Sequence, residues 1–234
     1  AVMVGFQMVA TRCPRNSLVT TRTADATART NRVSTLPLNS DERAHALEAS
    51  CIPTILVGTQ WAWPSKTAID KLTAAAVKAL FGSKRQLRAP EIVLAVLYEA
   101  HRHHPFWAIV YRNLNDAYRF LSKHPDNVQQ AIRIFYLRQQ SNTKAKIQGP
   151  IATLIKAAEA IGAILKVDPD RGGLILDLQN GFMLPAHGDD SKKAWQQDLQ
   201  HCVYKACIAD LQEFNDDYDP EQPTCASNSP LKPR

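Results

Sequence analysis

Apolar positions in this chain recur mostly at helical spacing, and prolines and glycines stand where helices would start and stop. Ile69, Leu72, Ala76 and Leu80 fall on one face of a helix, with Ser65 placed to cap its start and Gly82 to end it. Asn39-Ser40-Asp41 is an N-cap cluster ahead of ERAHALEASCI, and Pro53 should kink or end that helix. Pro90 takes the favoured first position of EIVLAVLYEA, and Pro105 and Pro125 open FWAIVYRNLNDAYRFL and DNVQQAIRIFYLRQQ. Gly149-Pro150 starts IATLIKAAEAIGAIL, whose stripe Leu154, Ala157, Ala158, Ile161, Leu165 reads as core. A last amphipathic helix is expected from about Asp190 to Glu213.

The remaining segments break that rhythm. Ala1 to Ala10 reads as a short apolar strand with Gly5 inside it. Residues 11–32 are rich in Thr, Arg and Ala without a clean period, which fits either a solvated helix face or a mobile basic arm. Gly172-Gly173 and Asn180-Gly181 flank LILDL, with FMLP following, and Asn-Gly between apolar runs signals a hairpin. From Asn215 the acidic, proline-rich end reads as disordered. The fold class expected is therefore mainly α, with a small β-hairpin in the second half and a disordered acidic tail. The expected organisation is a strand plus basic linker over 1–40, a helical domain over 41–145, a helix–hairpin–helix connector over 146–214, and a tail over 215–234.

Charge sharpens this division. Residues 1–40 carry five Arg against Asp25, and residues 41–150 carry 15 basic and 8 acidic side chains. Residues 151–234 reverse the sign, with 8 basic and 13 acidic. Within a net charge of +6, a basic first part thus faces an acidic end, and an anionic partner for the first part follows. No apolar run approaches the roughly 18 residues that span a bilayer, so no membrane partner is expected. Arg12 and Arg15 follow the opening apolar run instead of preceding it, the reverse of a signal peptide. The five cysteines are odd in number and scattered, which favours reduced thiols and an intracellular site, nuclear or cytoplasmic. The absence of an initiator Met reads as a fragment or a processed product.

Few residues invite catalysis. His101, His103, His104 and His124 raise a zinc site, but no cysteine pair lies near them, and exposure or helix-end hydrogen bonding is the simpler reading. Cys202 and Cys207, five apart, fall on different helix faces. Asp189-Asp190 and Asp216-Asp217 lack strand context and read as an N-cap and a solvated tail. Neither a Gly-x-Ser-x-Gly elbow nor a phosphate-binding Walker loop occurs. Trp61 and Trp63 stand beside Pro64, a setting for packing at helix ends more than for stacking on a base. The basic set Arg12, Arg15, Arg22, Arg29, Arg32, Lys84, Arg85 and Arg88 is the strongest candidate, since such a group attracts phosphates.

The order of signals from Val4-Gly5-Phe6 onward resembles the region after the palm of reverse transcriptases from non-LTR (LINE-like) retrotransposons, as in protist and dinoflagellate elements. Leu36-Pro37-Leu38 and Arg43 are similar to a helix entry there and Pro53…Gly58 to its exit. Leu80-Phe81-Gly82 resembles the next stop, Arg88…Glu91-Ile92 the third helix, and His101-Arg102…Pro105 the following turn. Gly149-Pro150-Ile151…Leu154 and the Trp195 helix resemble the connector. Val57, Phe81, Ala100 and His104 depart from the residues common at those positions.

The resemblance implies a thumb-like helical bundle and connector from which the polymerase chemistry is missing. The palm carboxylates that clamp two metal ions would lie upstream, so no cofactor is expected in this chain and Mg only in the parent palm. The implied partners are that palm domain and the backbone of RNA or an RNA–DNA hybrid, held by Arg22, Arg29, Arg32, Lys84, Arg85 and Arg88. The alternative is a stand-alone helical interaction domain whose basic half binds an acidic protein.

Overall fold

The computed structural model describes residues 2–3, 6–7, 17–82, 90, 93–94, 97–121, 130, 132–134, 149–167, 174–178, 183–185 and 192–216. Helices dominate these residues. They are α1 (Ser17–Val33), α2 (Ser40–Ala46), α3 (Ile52–Leu56), α4 (Lys66–Phe81), α5 (Ala100–His103), α6 (Pro105–Leu121), α7 (Pro150–Ala160) and α8 (Lys192–Asp216). Two small antiparallel sheets complete them. Strands β1 (Val2–Met3) and β2 (Phe6–Gln7) pair at the N-terminus, and β3 (Ala163–Val167), β4 (Leu174–Leu178) and β5 (Met183–Pro185) form a second sheet in that order.

Local chemistry explains where most helices begin and end. Asn39 accepts from the Glu42 backbone N–H at 2.8 Å while the Glu42 carboxylate accepts from the Asn39 N–H at 2.9 Å, a reciprocal capping box. Between α2 and α3 the helix widens into a π-turn over Leu47–Cys51, and the Ile52 N–H reaches back to the Leu47 carbonyl. Pro53 has no N–H to donate, so the chain absorbs it by this change of register and the helix continues past it to Leu56. Ser65 caps α4, and Gly82 ends it at φ 77, a left-handed conformation that suits glycine. The last carbonyls of α4 are taken by α2: Ser40 Oγ donates to Leu80 O and Arg43 Nη1 to Ala79 O.

Helix α6 is the centre around which the others pack. Trp107, Ala108, Ile109, Val110 and Leu114 are all at most 1% exposed. Trp107, Val110 and Leu114 join one core with α7, β3, β4 and α8, while Ile109 joins another with Ala26, Ile55, Ile69 and Leu72. Tyr118 of α6 stacks on Trp195 of α8 at 5.1 Å. A third cluster joins Val33, Ala44, Leu47, Cys51, Ala79, Leu80 and Leu94 on the other side of α4.

The structure decides one open reading, shortens one helix and extends the expected strands. First, residues 17–33 form a packed helix and not a mobile arm. Val19, Thr23, Ala26, Thr30 and Val33 make its buried stripe. Thr23 and Thr30 are buried because each hydroxyl donates to a carbonyl one turn back, at 2.8 Å to Val19 and 2.9 Å to Ala26. Second, the helix begun at Pro150 stops at Ala160, and Gly162, at φ 66, turns the chain into β3. Leu165 is buried from a strand; the expected hairpin is present as β4 and β5, and β3 joins it as a third strand, so that Leu176 pairs with both Leu165 and Leu184. Third, the N-terminal strand is a paired hairpin, Val2 opposite Gln7 and Met3 opposite Phe6. The tail from 217 onward and most of the helices expected after Pro90 and Pro125 lie outside the described residues.

The α1 interface makes the packing testable. Ala26 is fully buried against Ile55, Ile69, Leu72 and Ile109, whereas Ala28 is exposed. Ala26→Leu is expected to lower the unfolding free energy by about 1–3 kcal/mol by overpacking, and Ala28→Leu to change it by under about 0.5 kcal/mol. Chemical denaturation of the two variants checks this; equal midpoints would return residues 17–33 to a solvated arm.

Candidate nucleic-acid interface

Helix α1 places three of the candidate arginines together. With its buried stripe turned onto α4 and α6, Arg22, Arg29 and Arg32 fall within an arc of roughly 80° on its flank. Arg29 and Arg32 are exposed and Arg22 is half-buried. Two of them lean over the end of α3: Arg22 Nη1 donates to the Val57 carbonyl at 3.0 Å and Arg29 Nη1 to Thr54 Oγ1 at 3.2 Å. Both partners are neutral. Asp25 shares the arc but lies beyond ion-pair distance of all three, so among the described residues none of these guanidiniums is matched by a carboxylate.

Several basic side chains elsewhere are matched within the fold. Arg102 meets Glu99 at 2.7 Å and Glu48 at 3.5 Å. Arg112 meets Asp116 at 2.7 Å, with Arg119 at 3.9 Å from the same carboxylate, and Lys166 pairs with Asp177 across the sheet. Arg43 is structural, donating to Leu36 O and Ala79 O. The α1 arginines thus have no carboxylate partner among the described residues, whereas these others do or are bonded to backbone carbonyls. Arg12, Arg15, Lys84, Arg85 and Arg88 lie outside the described residues.

His101 and His103 are held by protein partners. His101 Nε2 is 3.4 Å from Glu99 Oε2, and its ring lies 4.9 Å from that of Tyr111. His103 Nδ1 is 3.3 Å from the Glu99 carbonyl and its ring 5.2 Å from Tyr98. Burial pushes the pKa of both down. His104, at 5% exposed, has no hydrogen-bond partner in another residue, and burial lowers its pKa to about 4. Among the described residues no three His, Cys, Asp or Glu side chains come together as a metal-binding group. Cys202 and Cys207 are both buried in the α8 core as free thiols.

Trp63 packs edge-on against Phe106 at 6.0 Å, as expected of a residue at a helix end, but Trp61 remains 39% exposed. Two buried polar residues of α6 escaped the sequence reading. Asn115 receives a hydrogen bond from Gln196 at 3.3 Å, whereas the Asn113 amide has no partner among the described residues. The only sequence signal was polarity at Asn113, one turn beyond Ile109 on a core-facing side of the helix.

No described residues form a helix long and apolar enough to cross a membrane. Comparison with known proteins adds no identity: no family description, no curated protein and no solved structure matches this chain.

His104 gives this region a pH signature. Its folded pKa lies below the ordinary 6.5, so the stability it confers is present above about pH 6.5 and lost as pH falls toward about 4, where only the unfolded chain takes up the proton. The loss over that window is about 3 kcal/mol from this group. Urea midpoints of the wild type are expected to fall over that range and those of His104→Leu to fall less steeply. Parallel pH profiles would remove His104 as a cause.

Proposed function

We propose that this chain is the non-catalytic, post-palm part of a non-LTR retrotransposon reverse transcriptase, and that it holds the backbone of RNA or an RNA–DNA hybrid. The observation that supports the reading is the α1 arc of Arg22, Arg29 and Arg32, whose guanidiniums meet only neutral partners within the described residues. Guanidiniums on a rigid flank neutralise phosphates and fix register without reading bases. The hydrogen bonds of Arg22 and Arg29 to the end of α3 hold two of them in place before any ligand arrives, which reduces the entropy lost on binding. Lys84, Arg85 and Arg88 extend the same basic character in sequence just beyond α4.

The rigidity of α1 comes from its packing, so the array is part of the fold and not a tether. Its buried stripe runs its whole length, from Val19 to Val33. The charges therefore sit at fixed spacings of one to two helical turns, about 5–10 Å along the axis, on the scale of successive phosphates.

Reversal of the three charges, Arg22→Glu, Arg29→Glu and Arg32→Glu together, is expected to weaken binding of a short RNA–DNA hybrid at low salt by about an order of magnitude or more, without changing the circular dichroism spectrum. Fluorescence anisotropy reads the affinity. Unchanged affinity would end the proposal, and strong binding of a polyglutamate peptide with none of the hybrid would establish the acidic-protein alternative in its place.

A further inference from the structure

The fold holds a cavity of about 370 Å³ between α6, the start of α7 and the loop that leads from α3 to α4. Its wall is largely apolar, formed by Ala117, Phe120, Ile151 and Leu154, with Trp61 at one side. Trp61 is 39% and Phe120 54% exposed, so aromatic surface lines the mouth. Cavities of this size and character take small planar ligands or parts of larger ones.

The polar groups in this wall are few and unusual. Asn113, only 4% exposed, has neither its Nδ2 nor its Oδ1 in a hydrogen bond among the described residues. The Gln60 Oε1 in the same wall is also unpartnered, while Gln60 Nε2 donates to Asp116 Oδ2 at 2.9 Å. A buried carboxamide with no partner is costly, and such groups in folded proteins call for a partner absent from the coordinates. Thr153 needs none: its hydroxyl lies 2.7 Å from Gln60 O and 2.8 Å from Pro150 O.

We propose that this cavity receives a nucleobase bearing an exocyclic amino group next to a ring nitrogen, as in adenine or cytosine, with Asn113 as its reader. A turn of the amide about its soft terminal torsion presents Oδ1 to the amino group and Nδ2 to the ring acceptor. The second amino hydrogen meets Gln60 Oε1, which fits a donor and not a carbonyl. The base face lies along Trp61, and stacking on an aromatic ring is tolerant of sequence. Arg112 and Arg119, on the same helix, sit around Asp116 at the mouth, at 2.7 and 3.9 Å from its carboxylate. Asn113 can turn over to meet uracil, but Gln60 Oε1, whose amide is held by the bond from Nε2 to Asp116, then faces the uracil carbonyl, and uracil is rejected for that reason.

The site deepens the nucleic-acid reading and rests on it for the source of the base, an unstacked position in a single strand. The test compares oligo(A), oligo(C) and oligo(U) of roughly ten nucleotides, together with free adenosine and cytidine, on the wild type and on Asn113→Leu. The expected result is roughly tenfold tighter binding of the A and C strands than of U, with the difference abolished in Asn113→Leu while U binding is kept. Asn113→Leu removes an unsatisfied amide and is expected to keep its melting temperature; Phe120→Ser at the exposed mouth serves as a second variant, which should weaken A and C more than U. Equal binding of all three strands overturns the base site and leaves the backbone grip standing. Binding of free adenosine and cytidine, seen by saturation-transfer NMR, with no strand binding keeps the base site and overturns the grip. No binding of strands or nucleosides overturns both.

Discussion

The burial of α6 is the constraint on which the rest of the structure depends. A helix with Trp107, Ile109, Val110 and Leu114 all at or below 1% exposure has no solvent face in its first turns and must be enclosed. Two groups of elements enclose it. Ile109 is covered from the N-terminal side by α1, α3 and α4, and Trp107, Val110 and Leu114 from the C-terminal side by α7, the three-stranded sheet and α8. Full burial of four such side chains contributes several kcal/mol, at about 1.5–3 kcal/mol each, comparable to the whole net stability of a domain. The same enclosure traps Asn113 and Asn115, and the first of these lines the cavity between α6 and α7.

Function follows from what this enclosure leaves outside. Helix α1 is held by small residues and back-bonded threonines, so its charged flank is displayed on a fixed frame next to α3. The cavity beside α6 results from the meeting of three segments distant in sequence, around Gln60, Asn113 and Thr153. In the reading we propose, the charged flank serves the backbone of a single strand and the aromatic, amide-bearing cavity a base. The histidines that crowd the α5–α6 junction are explained without any ligand: they are packed, and in His104 kept neutral, by the burial of the same helix.

Much of the helical frame was legible because its signals are local. The Asn39 and Ser65 caps, the Gly82 stop and the openings at Pro105 and Pro150 stand where the sequence implied, each fixed by hydrogen bonds within a turn. What was missed depends on contacts between distant segments or on chemistry that a polarity count hides. Thr23 and Thr30 read as polar, yet their hydroxyls are satisfied inside the helix and their methyl groups face the core. The run from Ile155 to Val167 is apolar but for Lys156, Glu159 and Lys166, and its period did not separate helix from strand; Gly162 marks the change. Arg22 and Arg29 were singled out for charge, but that their hydrogen-bond partners are neutral needed α3 in place. Asn113 shows as a site residue only once Gln60 and α7 are set against it.

The account stands most directly on whether this protein binds nucleic acid through unpaired surface charge. A salt titration of wild-type binding to an RNA–DNA hybrid measures that. The account predicts that log K falls linearly with log salt concentration, with a slope of roughly −2 to −3 for contacts from three arginines. A slope near zero, or no binding at the lowest salt that keeps the protein soluble, would contradict it.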